Sequence, residues 1–254
     1  MSLYSNIIKG CAQHTPTNRG KYQVGWVYKP HKTRHKPAIT EPYAFSKLLN
    51  NVDNVADTFD YNRQILQLLA MLFVRIGDLC AMRWEQVDLA NGLWEFRPQK
   101  AGSRKDMNDV IVPLPRQAVA ILRQLHAKTG DTPFVFYTGR KNAPHTDPQR
   151  INNALNSKTM NGGAGYLGVH CPHGFRASAK TMLMERLGYG ELITELQLGN
   201  TMLNRYGRAY SRMEMLSDRQ KMLQDWADYL DDLRAGKIGK VIYLTGKQPK
   251  AVNE

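Results

Sequence analysis

The stretch ILQLLAMLFVRIGDLCAMRW, residues 65–84, decides the fold class of this 254-residue chain. Its first ten residues, 65–74, form an almost unbroken apolar run, which is shorter than the roughly 18 residues that a membrane span requires. A run of this length predicts a helix that is buried on all sides. Arg75 follows directly, so the sequence places a guanidinium at the end of a buried helix. A second helical stretch is expected after it, carrying Leu79, Met82 and Trp84.

Working outward from this stretch, helical periodicity encloses a short β unit. Alternating apolar residues predict two antiparallel strands, at 93–97 and 110–114, joined by a basic connection at 99–108 that has room for a third short strand. Helix patterns and start signals predict further helices from Glu41, from Pro115, from Asp147-Pro148, from Gly174 to about Leu187, and from about Met215 to Leu233. The fold class is therefore mainly α with a small antiparallel β-sheet (α+β).

Charge is the most informative bulk property of the chain. It has 35 Lys and Arg against 22 Asp and Glu, a formal net charge of +13. An excess of this size favours a polyanionic partner, because cations that contact phosphates release condensed counterions. The three cysteines are too few and too scattered for a disulfide framework or a zinc site, which fits a reducing cytoplasm. The absence of a signal peptide and of a long apolar run predicts no membrane partner.

Three regions are expected along the chain. Residues 1–37 are punctuated by Gly and Pro, and the basic run at 28–37 predicts a linker or arm remnant. This arm either lies along a nucleic-acid backbone or is a solvated tail. Residues 38–235 carry the patterns of the main domain, and residues 236–254 form a basic C-terminal tail. The candidate phosphate-backbone contacts of the arm are Lys29, Lys32, Arg34 and Lys36.

Four local signals carry candidate chemistry, although each has a plain explanation on its own. His173-Gly-Phe-Arg176 heads a helix, where a spacing of three puts both side chains on one face beside N–H groups that favour a phosphate. Asp78, three residues after Arg75, is placed to orient that arginine by a charge-assisted hydrogen bond. The basic connection holds Lys105, and the segment AYSR before the last helix holds Tyr210.

The order and spacing of these signals resemble the catalytic domain of the tyrosine recombinase family, also called the phage integrase family. The local text is most similar to integrases of satellite phages and genomic islands. RIGDLCAMRWEQVDL at 75–89 resembles their first-arginine helix and its entry into the sheet, and VIVPLP at 110–115 resembles the strand after their catalytic lysine. AYSR at 209–212, with QDWADYL downstream, resembles their nucleophile segment. The resemblance covers roughly residues 36–234.

The resemblance implies a site-specific recombinase that cleaves and rejoins double-stranded DNA at attachment sites through a 3′-phosphotyrosyl intermediate. Such an enzyme integrates or excises a prophage or genomic island and uses neither metal nor ATP, so no cofactor is expected. The implied roles are Tyr210 as nucleophile, Arg75 and Arg176 as a clamp on the phosphate, His173 as base and Lys105 as acid. Lys100 is the alternative acid, and Arg104 is a further candidate for contact with the DNA backbone.

One position departs from the family pattern. Ten residues before Tyr210, where the family usually has His or Trp, this sequence has Asn200. An asparagine amide can donate a hydrogen bond to a phosphate oxygen, but it cannot carry a proton. We therefore expect an assisting phosphate contact there, and an inactive DNA-binding relic stays open as an alternative. So does a type IB topoisomerase-like strand transferase, whereas the lack of a carboxylate cluster beside the histidines disfavours a metal nuclease.

The resemblance also sets expectations for assembly and location. It implies a homotetramer on DNA in the full-length protein, with an excisionase or a host DNA-bending protein as possible partners. About 37 residues precede the catalytic pattern, so a core-binding domain in front of it is not expected to be present in full. The expected location is cytoplasmic and nucleoid-associated, in a protein that is bacterial or phage-encoded.

Overall fold

A computed structural model describes residues 36–56, 61–99, 109–200 and 215–237. The helices are α1 (Pro42–Asp53), α2 (Asn62–Leu72), α3 (Ile76–Cys80), α4 (Arg116–Thr129), α5 (Pro148–Leu155), α6 (Gly174–Glu185), α7 (Glu191–Gln197) and α8 (Leu216–Arg234). The strands are β1 (Val87–Asp88), β2 (Leu93–Phe96), β3 (Val110–Pro113), β4 (Tyr137–Arg140) and β5 (Ala143–His145). Short 3-10 turns cover Trp84–Gln86 and Asn161–Gly163. The predicted fold class, mainly α with a small antiparallel sheet, is confirmed.

Helix α2 lies in the centre of the described core, as its apolar run predicts. Its residues from Leu68 to Leu72 are fully or almost fully buried, and it packs against α1, α4, α5, α6 and α8. Each leucine buried in this way stabilises the fold by about 1.5–3 kcal/mol relative to an exposed one. The predicted apolar stripe of α8 covers α2 from one side, where the Trp226 Nε1–H donates to the carbonyl of Ala70 at 2.8 Å.

Helix α2 ends because Phe73 adopts a left-handed conformation, with φ 40° and ψ 37°. A bulky residue is rarely found there, since its Cβ crowds the neighbouring carbonyl. The surrounding core holds it in place: the Phe73 ring is buried and meets Trp226 edge to face, with 6.4 Å between ring centroids. The turn redirects the chain so that Arg75 starts a new helix, α3, at its N-cap.

Helix α3 is shorter than the sequence predicts, because the backbone beyond Cys80 pairs with another segment. The carbonyl of Met82 accepts a hydrogen bond from the Val135 N–H at 3.0 Å, and the Trp84 N–H donates to the carbonyl of Pro133 at 3.2 Å. These bonds replace the bonds that a continued helix would make within itself. The expected helical stretch through Met82 and Trp84 is therefore wrong beyond Cys80.

The main sheet has the antiparallel order β1-β2-β3, with Trp94 opposite Val112 and Phe96 opposite Val110. The two predicted strands are confirmed. A third strand, β1, pairs with the outer side of β2, whereas a third strand in the connection would fall in residues 100–108, outside the described ranges. The hairpin β4–β5 and helix α7 were not predicted.

The chain enters the domain across the start of α6. The Ile39 N–H donates to Nδ1 of the buried His170 at 3.1 Å, and the Ser178 hydroxyl donates to the Ile39 carbonyl at 2.5 Å. A Cβ on Gly174 would lie only 2.5 Å from the carbonyl oxygen of Pro37. Glycine is therefore needed at this position so that residues 37–39 can lie against the helix that carries His173 and Arg176.

His170 makes this docking sensitive to acid. Burial lowers the pKa of His170 from 6.5 to about 4. Above pH 6.5 the imidazole is neutral in both states, so its contribution to stability is complete. As the pH falls from 6.5 to 4, His170 becomes protonated in the unfolded chain but stays mostly neutral in the folded chain. The free energy of unfolding therefore falls by about 3 kcal/mol.

We therefore predict that the free energy of unfolding in urea falls across this pH window, and that His170→Gln flattens the fall. Glutamine keeps an oxygen that can accept from Ile39 but does not titrate. An unchanged pH slope in the variant would assign the acid sensitivity to other groups.

In the ranges that the structure describes, no helix is long and apolar enough to cross a membrane. The predicted arm up to His35 and the tail from Ile238 lie outside those ranges, so the proposed boundaries at 37/38 and 235/236 stay predictions.

Candidate active site

Arg176 is held inside the domain by two backbone carbonyls. Its Nη1 donates to the Phe73 carbonyl at 3.0 Å, and its Nη2 donates to the Leu198 carbonyl at 2.7 Å. The first acceptor is available because the left-handed turn at Phe73 releases that carbonyl from helix α2. Burial, with the neighbouring Arg75 as a second cause, lowers the pKa of Arg176 to about 10, so the guanidinium stays charged at neutral pH.

Arg75 approaches the same place from the other half of the chain. Together with Arg176 it lines a small cleft whose apolar walls come from Phe96, Val110 and Val112. The tip of Arg75 lies against Gly199, where an added Cβ would be 3.6 Å from Nη1. The turn after α7 thus supports both arginines, since Leu198 accepts from one and Gly199 packs against the other.

Asp78 lines the same cleft, but it accepts a hydrogen bond from a residue other than the predicted Arg75. Its Oδ1 accepts from the Gln99 N–H at 2.8 Å. Burial raises the pKa of Asp78, while that bond and the charges of Arg75 and Arg176 lower it in part. Asp78 therefore acts on Arg75 through its charge and anchors Gln99, the first residue of the connection that holds Lys105. The predicted hydrogen bond from Arg75 to Asp78 does not appear among the hydrogen bonds of the described residues, and it stays a prediction.

His173 is the N-cap of α6 and stands exposed at its start. Partial desolvation lowers the pKa of His173, and the positive charges of Arg176, Lys36 and Arg75 lower it further. The imidazole is therefore neutral at pH 7 and can accept a proton. Lys36, a predicted phosphate contact, lines a groove together with His173 and the start of α5.

Asn200 ends the turn that follows α7. It is exposed, its backbone N–H donates to the Glu195 carbonyl at 3.1 Å, and its side-chain Nδ2 donates to the Glu195 carboxylate. The structure therefore brings together Arg75, Asp78, His173, Arg176 and the turn that bears Asn200. The other predicted site residues lie outside the described ranges; they are Lys29, Lys32, Arg34, Arg104, Lys105 and Tyr210.

Comparison with known proteins identifies the family of this chain. The model of the phage integrase family matches residues 39–196, which include Arg75, His173 and Arg176. The chain belongs to the phage integrase family. The integrase of Enterobacteria phage P4 is 30% identical over 230 residues, which cover 85% of this chain and 50% of the relative. Prophage integrase IntA of Escherichia coli K12 is 28% identical over 221 residues, with 85% and 49% covered.

This integrase-family chain thus spans about half the length of the curated relatives that it matches. Among solved structures, an integrase from mycobacterium phage Brujita aligns over 84% of this chain and 67% of its own, with a TM-score of 0.53 and 14% identity. At that identity the likeness concerns the fold alone, and it confirms the expected tyrosine recombinase fold.

Several side chains that support the site were not predicted from the sequence. Gln197 is buried, and its Oε1 accepts from the buried Arg219 of α8 at 2.8 Å. Arg219 also donates to the carbonyl of Ile111 at 2.5 Å, so it links β3 to α7 behind the cleft. Glu195 and Lys180 form an ion pair next to Asn200, at 2.5 Å. A polar residue on the buried face of a helix is the signal for Gln197 and Arg219, but the sequence alone does not name its partner.

Proposed function

We propose that this chain supplies the DNA-cleaving chemistry of a site-specific recombinase, an integrase that breaks and rejoins strands through a tyrosyl intermediate. The observation that carries the proposal is the convergence of Arg75 and Arg176 on one cleft, with His173 at the start of the same helix as Arg176. Two guanidiniums supply planar, charge-assisted donors for the non-bridging oxygens of a phosphodiester. Membership of the phage integrase family supports the same reading.

In the proposed reaction, the Tyr210 oxygen attacks the phosphorus of a DNA phosphodiester. A bond from tyrosine to phosphorus forms, the bond from phosphorus to the 5′-oxygen breaks, and the products are a 3′-phosphotyrosine and a free 5′-hydroxyl. His173 takes the tyrosine proton, which is needed because tyrosine has a pKa near ~10 in water. Lys105 gives a proton to the leaving 5′-oxygen. Arg75 and Arg176 stabilise the charge that gathers on the phosphate in the transition state.

The second half of the proposed reaction reverses the first. The 5′-hydroxyl of a partner strand attacks the phosphotyrosine and releases Tyr210, so the bond energy is kept in the covalent link and no ATP is consumed. Double-stranded DNA is the proposed partner, and strand exchange requires assembly of several subunits on it, proposed as a tetramer of the full-length protein. The proposed site of action is the bacterial nucleoid.

The test is covalent capture. The chain is incubated with a pool of nicked duplexes of random sequence, in which the nick lets the cleaved end diffuse away, and adducts that survive denaturant are recovered and sequenced. We expect enriched sequences with an inverted repeat, linked at a tyrosine. Recovery of no adduct would favour the inactive DNA-binding alternative.

The enriched duplex then separates recombination from relaxation. Exchange of strands between two labelled copies supports an integrase. Relaxation of a supercoiled plasmid carrying one copy, without any exchange between copies, would instead favour the topoisomerase-like alternative.

Two glycines provide a matched prediction for the Arg75 contact. Gly188 and Gly199 have nearly the same φ, 69° and 67°. Alanine at either should cost about 1 kcal/mol of unfolding free energy, measured in urea, because L side chains are strained in this region. An added Cβ meets nothing within 4 Å at Gly188 but lies 3.6 Å from Arg75 Nη1 at Gly199.

A Cβ at 3.6 Å makes an ordinary van der Waals contact, so Arg75 need not move, and both variants should keep an adduct rate within about twofold of the unchanged chain. A loss of adduct rate confined to Gly199→Ala would show instead that the position of Arg75 depends on glycine at residue 199.

A further inference from the structure

The carboxylate of Glu195 is the centre of a small polar network beside the arginine cleft. One oxygen, Oε2, accepts from the Asn200 side-chain Nδ2, and the other, Oε1, accepts from Lys180 Nζ at 2.5 Å. Lys180 also reaches Glu191, one turn earlier on α7, at 3.2 Å. Burial raises the pKa of Glu195, but the hydrogen bonds from Asn200 and Lys180 outweigh burial and lower the pKa below its usual value. Glu195 is therefore an anion at neutral pH.

Glu195 holds Asn200 at two points. The backbone carbonyl of Glu195 accepts from the Asn200 N–H at 3.1 Å, and its carboxylate accepts from the side chain. Between them lie Leu198, which accepts from Arg176, and Gly199, which packs against Arg75. The turn that fixes Asn200 is thus the same turn that supports both arginines, so Asn200 lies at the rim of the phosphate-binding cleft.

We propose that Glu195 is a positioning residue that fixes the orientation of the Asn200 amide for the cleavage reaction. This inference rests on the proposed function. An ionised carboxylate can only accept hydrogen bonds, so it selects the amide orientation in which Nδ2 faces Glu195. Nδ2 carries two hydrogens, and the second remains a donor for a phosphate oxygen. Without Glu195 the amide is free to turn and present Oδ1, which a phosphate repels.

Lys180 reduces the electrostatic cost of a carboxylate beside the arginine cleft. A bare negative charge at the rim of the cleft would repel DNA, but the ammonium 2.5 Å from Oε1 balances it. The network also explains how an asparagine can stand where the family usually has His or Trp. The uncharged Asn200 amide is held in one orientation by the Glu195 carboxylate, five residues earlier and across the turn.

The first measurement reads the amide directly and requires no DNA. In protein labelled with nitrogen-15 at asparagine, the side-chain amide signals of Asn200, assigned by Asn200→Ala, should be displaced from the positions of a free amide. Glu195→Gln should move them toward those positions and increase their mobility. The matched control is Glu191→Gln, which changes the same residue type on the same helix and the same Lys180 but does not contact Asn200. This control should leave the Asn200 signals unchanged.

The second measurement is the rate of covalent adduct formation with the captured duplex. Glu195→Gln and Asn200→Ala should each slow it by about 10-fold, the usual scale for one hydrogen bond to a charged group. The double variant should be no slower than Asn200→Ala alone, because the two residues act as one unit. Glu191→Gln should stay within about twofold of the unchanged chain, as most surface substitutions do.

Several outcomes would overturn the proposal. They are additive losses in the double variant, equal losses in Glu191→Gln and Glu195→Gln, or Asn200 signals that ignore Glu195→Gln. If the unchanged chain forms no adduct at all, the proposed function fails. The amide signals then still decide whether Glu195 holds Asn200, so the two failures can be told apart.

Discussion

Replacement of Tyr210 by phenylalanine should abolish the covalent protein–DNA adduct and leave DNA binding almost unchanged. Phenylalanine lacks only the hydroxyl that would attack phosphorus, so the adduct rate should fall by at least about 1,000-fold, the scale expected for loss of a nucleophile. Affinity for the same duplex, measured by a gel shift at fixed salt, should change by less than about twofold, because the cationic contacts remain.

Tyr206→Phe is the matched control, since it removes the same hydroxyl from a tyrosine four residues earlier in the same segment. It should retain the adduct at near the original rate. If the adduct persists in Tyr210→Phe and disappears in Tyr206→Phe, the nucleophile is Tyr206. If both single variants still form an adduct, the nucleophile lies outside this segment and the assignment fails.

Arg176→Lys should slow adduct formation by about 100-fold or more, although it keeps the positive charge. The loss of one preorganised donor to a transition-state oxygen typically costs 10²–10³ in rate. The three donors of lysine radiate from one nitrogen, which cannot occupy both positions from which Nη1 and Nη2 of Arg176 donate to the Phe73 and Leu198 carbonyls. Arg176→Ala should be at least as slow.

The stability of these variants separates catalysis from folding. Arg176→Ala leaves two buried carbonyls without their donors, which costs about 1–3 kcal/mol for each, but it also removes a desolvated charge, which offsets part of this loss. The unfolding free energy should therefore fall by about 1–4 kcal/mol, and the adduct rate is compared under conditions where each variant is folded. Arg186→Ala, an exposed cation at the end of the same helix, is the control for loss of general attraction to DNA. A rate loss in Arg186→Ala equal to that in Arg176→Ala would mean that Arg176 acts only through its charge.

The parts of this fold that the sequence predicts are those with a strong local period. The run at 65–74 lies in the core because its nine apolar residues are stable only when buried, and it is helical as far as Leu72. The alternation around Trp94 and Val112 yields paired strands. Asp147 is an N-cap, accepting from Gln149 at 2.9 Å, as its position before Pro148 predicts. In each case the residue types at a few consecutive positions are enough to predict the element.

The parts that escape prediction depend on residues that are far apart or atypical. Phenylalanine does not signal a left-handed turn, so the end of α2 at Phe73 is imposed by the packing around it. Gly174 is required by Pro37, which is remote in sequence and meets it only in the folded domain. Glu195 pairs with Asn200 across a turn, a spacing that no helical or strand period marks. The order of the candidate arginines can be predicted from the sequence, whereas the backbone carbonyls that hold Arg176 cannot.

The hydrogen bond from Arg176 to the Phe73 carbonyl joins residues 103 positions apart, and the bond to Leu198 spans a further 22. Contacts between such distant residues form late, because a long loop must close before they are gained. During synthesis, α1, α2 and the sheet can pack before Arg176 has left the ribosome. A nascent chain that ends before Leu198 therefore lacks one of the two carbonyls that hold Arg176, so the proposed phosphate-binding site is complete only in the finished domain.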